Sequence, residues 1–253
     1  MPNNYFRFKQ FVVHQELCAM KVGTDGTLLG AWVQGGTRIL DIGTGTGLIA
    51  LMMSQRFPDA QLMAVDIDEK ACEQAQQNVN KSPFSDRIQV VQCNIADVLN
   101  KKDPRLYNQL TQQGLYDAIV SNPPYFEESL SCKNDQRTMA RHTTMLSYRA
   151  LIQSARLLLR DNGFLSLVIP FDCRTRLEQE CYLHGFFPTR VCGVKTTPKK
   201  PVRRFLLEFR KHAPLQVEHS EGVIEIAPSV RSEWYRSLTD EFYLSDGVGN
   251  KDK

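Results

Sequence analysis

The run Tyr116-Asp117-Ala118-Ile119-Val120-Ser121-Asn122-Pro123-Pro124-Tyr125 takes an apolar strand into a corner suited to holding an amine. Pro123 and Pro124 fix φ and lack backbone donors, so at these two positions the corner can only accept hydrogen bonds. A planar amine held there donates its two protons to the Asn122 side-chain oxygen and the Pro123 carbonyl, while Tyr125 covers the ring that carries it. That chemistry suits the exocyclic amino group of a nucleobase or an amide. A Pro-Pro turn closing a core strand has the same local sequence, so the reading depends on what stands upstream.

Upstream, Arg38-Ile39-Leu40-Asp41-Ile42 runs into Gly43-Thr44-Gly45-Thr46-Gly47, and a helical pattern follows from Leu48 to Met53. Glycines in such a turn let the backbone approach a ligand and adopt positive φ. A dinucleotide fingerprint needs glycine or alanine where Leu48 stands. Asp41 at the strand end would also repel a pyrophosphate and welcome a cation. S-adenosyl-L-methionine, with its ammonium and sulfonium, matches better than a dinucleotide. Asp66, about 20 residues after the loop, sits where a carboxylate takes both ribose hydroxyls, with Ile67 beside it. Asn94 ends a further strand and can hydrogen-bond an adenine edge, with the Ile95 backbone adjacent. Each of these polar groups alone is the sort of residue that caps a turn or helix; four such strand ends in order point to a ligand.

The elements that must position these groups alternate along the chain. Strands are expected at 38–42, 61–65, 88–92, 116–121 and 164–169, with helices at 22–33, 46–56, 69–80, 103–113, 147–160 and 173–184. Phe187 to Val194 and Arg203 to Phe209 follow as paired strands joined by a basic loop. The expected architecture is α/β, a Rossmann-like and mostly parallel seven-stranded sheet with an antiparallel final strand, helices on both faces and ligands at the carboxyl strand ends. The organisation anticipated is an N-terminal extension at 1–35, a catalytic domain at 36–212 and a C-terminal appendage and tail at 213–253, the last with a short strand near 223–226 and a helix at 229–241. Phe126 to Met145 has no clean period; a loop of that length over an active-site mouth is expected to be functional or disordered.

With these residues in place, the chain resembles class I S-adenosylmethionine-dependent methyltransferases of the N-methylating, NPPY-bearing group. Lys21-Val22-Gly23-Thr24-Asp25-Gly26-Thr27 narrows the likeness, with Phe8-Lys9-Gln10-Phe11, Cys18-Ala19-Met20 and Gln136-Arg137-Thr138-Met139-Ala140-Arg141. Together they are similar to the bacterial tRNA1(Val) (adenine(37)-N6)-methyltransferase family, over about Phe8 to Phe209. The resemblance implies methyl transfer to N6 of the adenosine at position 37, just 3′ of the anticodon. It implies Asn122, Pro123, Pro124 and Tyr125 as the catalytic corner. Lys21, Gly23, Thr24, Gly47 and Asn122 join Asp41, Gly43, Gly45, Asp66, Ile67, Asn94 and Ile95 in the cofactor set. Asn94 stands where an aspartate is common, which implies weaker hold on the cofactor. Glutamine N5-methylation of release factors is a rival chemistry for the same corner, but relatives of that kind carry a helical domain before the glycine loop, where only about 40 residues stand here. An rRNA guanine N2-methyltransferase more often has Phe at the Tyr125 position. A cofactor-fold RNA-binding factor without catalysis is the third alternative, against which Asp41, Asp66, Asn122 and Tyr125 all stand intact.

The 253 residues suffice for one such domain, and 42% hydrophobic content suffices for its core. A net charge of +3 permits a nucleic-acid partner without demanding one. Arg137 and Arg141, and the basic cluster of Lys199, Lys200, Arg203 and Arg204 with Lys195, Arg190, Arg210 and Lys211 nearby, are the candidate RNA contacts. Phe6, Phe8 and Phe11 could stack on bases, though a hydrophobic cover for the sheet is the simpler reading. Seven scattered cysteines without a CxxC pair fit neither a disulfide framework nor a metal site, and a reducing cytoplasm is expected. Residues 1–11 carry no apolar leader, and no run reaches the ~18 apolar residues of a membrane span. The expected partner is a valine tRNA, met by a single copy of the chain through the anticodon loop, with no metal and no membrane.

Overall fold

Short runs rich in Ile, Leu and Val, each flanked by turn residues, become the inner strands because only a position covered on both faces buries so continuous an apolar run. In the computed structural model, which describes residues 4–18, 20–124 and 146–244, these are β3 (Arg38–Ile42), β4 (Gln61–Asp66), β6 (Tyr116–Ser121) and β7 (Leu159–Pro170), with β5 (Ile88–Gln92) at one edge of the sheet. They are joined by β8 (Phe187–Lys195), β9 (Val202–Arg210) and β10 (Glu218–Val223). The sheet runs β10-β8-β9-β7-β6-β3-β4-β5, parallel throughout except where β9 lies antiparallel between β7 and β8. From β3 the chain builds outward through β4 and β5, then returns to add β6 and β7 on the other side. That reversal opens a crevice at the carboxyl ends of β3 and β6, where ligands bind in such sheets.

Helices cover both faces. α1 (Thr24–Trp32), α2 (Leu48–Arg56) and α3 (Glu69–Asn80) flank one side, and α4 (Arg105–Thr111), α5 (Tyr148–Leu158) and α6 (Arg174–Leu183) the other; α7 (Glu233–Thr239) comes last. Two apolar clusters, one per face, hold the sheet between them. The first contains Leu28, Met52 and Val120, and the second contains Leu40, Ile119, Leu165 and Leu207. Capping fixes the helix starts. The Asp68 carboxylate accepts from the Lys70 amide, and the Ser147 hydroxyl accepts from that of Ala150, contacts worth about 1 kcal/mol each.

The expected seven strands are present with the anticipated antiparallel partner, and β10 adds an eighth along the edge of β8, in parallel. Its Glu-His-Ser-Glu-Gly-Val sequence is polar because an edge strand exposes one side, and charge there blocks further pairing. The helix expected to reach residue 160 stops at Leu158, and the strand expected from 164 starts at Leu159. Asp161-Asn162-Gly163 does not break the ladder: it bulges within it, so that Tyr116 faces Leu159 while Ala118 faces Phe164. Gly163 allows this because a Cβ there would stand 2.8 Å from the Asp117 carbonyl oxygen. The helix expected over 229–241 is shorter, since Val230–Arg231 pairs with Glu225–Ala227 and Ser232 caps the helix only after that bridge.

An N-terminal hairpin, β1 (Tyr5–Arg7) with β2 (Val12–His14), went unread in the sequence because its strands are only three residues long. Phe8 and Phe11 between them are buried and stacked 4.8 Å apart, and Phe8 also stacks on Tyr243 at 5.7 Å. These rings are a cover for the fold and are not available to bases. The Lys9 amide donates to the Phe242 carbonyl, which ties the two ends of the described chain together.

Candidate active site

The glycine loop leaves β3 with Gly43, Gly45 and Gly47 at φ of 74°, 55° and 82°, a region that only glycine enters cheaply. The Gly43 and Thr44 amides both donate to the Val65 carbonyl, and the Gly45 amide donates to Asp66 Oδ2 at 2.9 Å. The loop is thus pinned to the end of β4. A Cβ built on Gly43 or Gly45 meets nothing within 4 Å, so both face open space. That space is a cleft of about 790 Å³.

Most of the sequence-derived cofactor set meets there. Lys21, Gly23 and Thr24 come from the segment entering α1, Gly43 and Gly45 from the loop, Asp66 and Ile67 from the end of β4 and the residue after it, and Asn94 and Ile95 from the turn that follows β5. Each Asp66 oxygen already accepts one backbone donor, Gly45 on Oδ2 and Asp68 on Oδ1 at 3.0 Å. A carboxylate oxygen has a second acceptor site, so Asp66 can still take two hydroxyls. Ile67 is 46% exposed and forms an apolar wall. Asn94 has a structural duty as well: its oxygen accepts from the Ala96 amide and caps the 3₁₀ turn Ile95–Leu99. Gly47 does not line the cleft; it precedes α2 as its N-cap, and a Cβ there would meet Ala75 at 3.4 Å.

Asp41 lies behind the wall. It is fully buried, its Oδ2 accepts from the Thr44 hydroxyl at 2.7 Å, and its Oδ1 has no hydrogen-bond partner among the described residues. Burial pushes its pKa up to about 7; the Thr44 hydroxyl pulls against that, the charge of Asp66 adds to it, and the Ala50 amide offsets it in part without reaching ordinary hydrogen-bond geometry. A buried acceptor left short of donors beside an open cleft is the electrostatic setting that a cationic ligand relieves.

The corner formed by Asn122, Pro123 and Pro124 borders the same cleft. The Ser121 hydroxyl donates to the Ile42 carbonyl at 2.7 Å, which locks the end of β6 to the end of β3. Asn122, Pro123 and Pro124 then line the cleft together with the glycine loop, with Pro123 buried. Tyr125 lies outside the described residues, as do Gln136, Arg137 and Arg141.

The basic cluster divides. Arg190 lies 4.1 Å over the Trp32 ring and pairs with Glu208 and Glu218, and Lys195 pairs with Glu221 at 2.6 Å, so these two are held within the fold. Lys199 and Lys200 are exposed at the turn between β8 and β9, and Arg203 is exposed near the start of β9. Arg204 turns into the cleft and pairs with Asp25 of α1. Sequence reasoning missed this pair, and also Leu146 and Ala150 on the cleft wall. Asp25 and Arg204 are 179 residues apart, so no local spacing could have joined them. No cluster of potential metal ligands occurs among the described residues, and their cysteines are free thiols. No described helix is long and apolar enough to cross a membrane.

The profile of the methyltransferase small domain matches residues 26–188. A protein of Bacteroides thetaiotaomicron named tRNA1(Val) (adenine(37)-N6)-methyltransferase is 45% identical over 247 residues, covering 96% of this chain and 99% of its own. A protein of the same name from Trichodesmium erythraeum is 42% identical, covering 96% and 99%. Among solved structures, a predicted O-methyltransferase from Agrobacterium tumefaciens superposes with a TM-score of 0.68 at 17% identity, over 89% of this chain and all of its own. The glycopeptide N-methyltransferase MtfA, solved with S-adenosyl-L-methionine, gives 0.51 at 11% identity, over 76% of this chain and all of its own. At these identities the two structures speak for the fold alone.

Proposed function

The chain belongs to the methyltransferase small domain family and, within it, to the tRNA1(Val) (adenine(37)-N6)-methyltransferases, and from that premise we infer what its cleft does. It methylates the exocyclic N6 of adenosine 37 of tRNA1(Val), with S-adenosyl-L-methionine as methyl donor. The observation that carries this reading is the meeting of Asn122, Pro123 and Pro124 with the glycine loop and Asp66 in one cleft. The bound donor supplies an electrophilic methyl group on a sulfonium.

The residues divide the work by chemistry. Gly43 and Gly45 let the backbone approach the donor closely, Asp66 takes ribose hydroxyls, and Asn94 with Ile95 borders the donor's base. Asp41 supplies negative charge from behind the loop. At the corner, the Asn122 oxygen and the Pro123 carbonyl accept the two amino protons of the target base. The N6 lone pair is delocalised into the ring and attacks poorly when flat. Drawing both protons aside frees it for attack in line with the methyl group: the N6–carbon bond would form as the carbon–sulfur bond breaks, and the methylated N6 would then release its surplus proton to water. An amide oxygen and a carbonyl are too weakly basic to take a proton outright, so alignment is the main catalytic contribution, on the order of 7–11 kcal/mol for a well-oriented pair. The adenosine must leave its stack to reach the corner, and Tyr125 replaces part of the lost stacking. Since the substrate is a tRNA, we place the enzyme in the cytoplasm.

The test is methyl transfer from labelled donor to unmodified valine tRNA, followed by nucleoside digestion and mass analysis. N6-methyladenosine located at position 37 is the expected product. Label on protein or on guanosine N2 would overturn the reading.

A further inference from the structure

Resting on that reading, we propose that Phe171 is a stacking platform for the nucleobase next to the methylated adenosine, with the exposed cations of the β8–β9 turn and the start of β9 holding the adjoining phosphates. Phe171 directly follows Pro170, the last residue of β7. Pro170 is the register partner of Arg204, which lines the cleft. Leu167 pairs with Ser121, so β7 continues three residues, about 10 Å at ~3.3 Å per residue, past the point where β6 gives way to Asn122. Phe171 therefore stands at the carboxyl rim of the sheet, past the end of the strand that neighbours β6 and its Asn122 corner.

The ring is fixed and yet open. It is 53% exposed, and it stacks on Phe205 with centroids 5.8 Å apart at an interplanar angle of 27°. Phe205 is buried and has the Arg174 guanidinium 4.5 Å from its centroid. A ring supported on one side by a buried stack and half exposed offers its other face to solvent. Isolated exposed aromatics are common and usually idle. This one differs in its rigid support, in its place at the carboxyl rim of the sheet, and in the exposed cations of the neighbouring β8–β9 hairpin. Lys199, Lys200 and Arg203 are exposed and make no ion pair among the described residues, while the nearby acids Asp25, Glu208 and Glu221 are already matched to Arg204, Arg190 and Lys195. Asp172, also exposed, would repel a phosphate, which sets the backbone toward the cationic turn and leaves a base over the ring.

The need for such a platform comes from the reaction. Extruding an adenosine from an anticodon loop unstacks its neighbours. An aromatic face compensates whichever base stands there, because every base has a π-face.

The experiment is equilibrium binding of an unmodified tRNA1(Val) anticodon stem-loop, with S-adenosylhomocysteine present, to the full chain and to F171A, F171L and F171W. A second stem-loop carries 2-aminopurine at the base flanking adenosine 37. F171A is expected to bind about ten-fold more weakly, F171W to bind as the wild type, and F171L to stay weak although it keeps an apolar contact with Phe205. The 2-aminopurine is quenched by the wild type and F171W and not by F171A or F171L. Binding by F171A within two-fold of wild type, or full recovery by F171L, overturns the platform. Methylation by the wild type is scored separately. If it forms N6-methyladenosine while F171A binds normally, only the platform falls. If it forms none while the quenching pattern holds, the proposed reaction falls and the platform stands.

Discussion

Asp41→Asn should remove a loss of stability with rising pH from the ligand-free protein, so that variant and wild type exchange order across the pH range. In the folded state burial raises the Asp41 pKa from 3.8 to about 7, so folding favours its neutral form. Between pH ~4 and ~7 the folded protein holds a proton that the unfolded chain releases. This contribution is fully present below the unfolded value and is lost as pH rises through the folded one. At ~1.4 kcal/mol per pH unit the loss is on the order of 4 kcal/mol by pH 8. Asn cannot ionise and escapes it. Its oxygen can still accept from the Thr44 hydroxyl, but its NH₂ then occupies the buried Oδ1 position, which has no acceptor, at a cost of about 1–3 kcal/mol. The two terms predict that D41N is less stable than wild type by about 1–3 kcal/mol below pH ~4, that the two curves cross between pH ~4.5 and ~6, and that D41N is more stable by about 1–3 kcal/mol at pH 8. Urea unfolding of both proteins across that range measures the difference, and comparing the pair cancels the titration of every other group. The same proton should appear in cofactor binding. A sulfonium-bearing ligand prefers ionised Asp41, so wild-type affinity should rise as pH passes 7 and D41N affinity should be low and flat. Parallel stability curves for the two proteins would refute the argument, because they would mean that Asp41 is already ionised in the fold at low pH.

Other residues of the cleft and fold carry expectations of their own. Asn122→Ala should lower turnover about 10²–10³-fold, the loss typical of one preorganised hydrogen-bonding group, while calorimetric affinity for S-adenosyl-L-methionine holds; equal losses in both would make Asn122 a structural residue. Asp66→Ala removes the acceptor of the Gly45 amide as well as the site for ribose hydroxyls, and cofactor affinity should fall about ten-fold or more, as expected for losing a charge-assisted hydrogen bond. Phe8→Ala should destabilise the whole protein by about 3–5 kcal/mol in urea unfolding, because this ring joins the N-terminal hairpin to Tyr243 and the core. Replacing Lys199, Lys200 and Arg203 together by Ala should weaken tRNA binding and flatten its log–log salt dependence by about 2, at ~0.7 for each phosphate no longer neutralised; an unchanged slope would clear that turn of any role in RNA binding.

The sequence by itself determined the features with local causes. The inner strands are legible because a strand covered on both faces needs an unbroken apolar run. The loop from Gly43 to Gly47 is legible because positive φ selects glycine, and the corner at Asn122 because two prolines leave acceptors without donors. These residue types are visible without knowing what packs against them, and they also place the strand ends in the order that makes a cleft. The tertiary structure decided what depends on neighbours distant in sequence. It set Asp41 behind the cleft wall and not on it, and so made its proton a property of burial. It gave the Asn94 oxygen a capping duty, split the basic cluster into internal ion pairs and exposed cations, joined Asp25 to Arg204, and hid a polar eighth strand at the sheet edge. Desolvation, ion pairing and edge exposure are set by the surroundings of a group rather than by its identity, so the same aspartate or arginine reads alike in the sequence whichever fate awaits it.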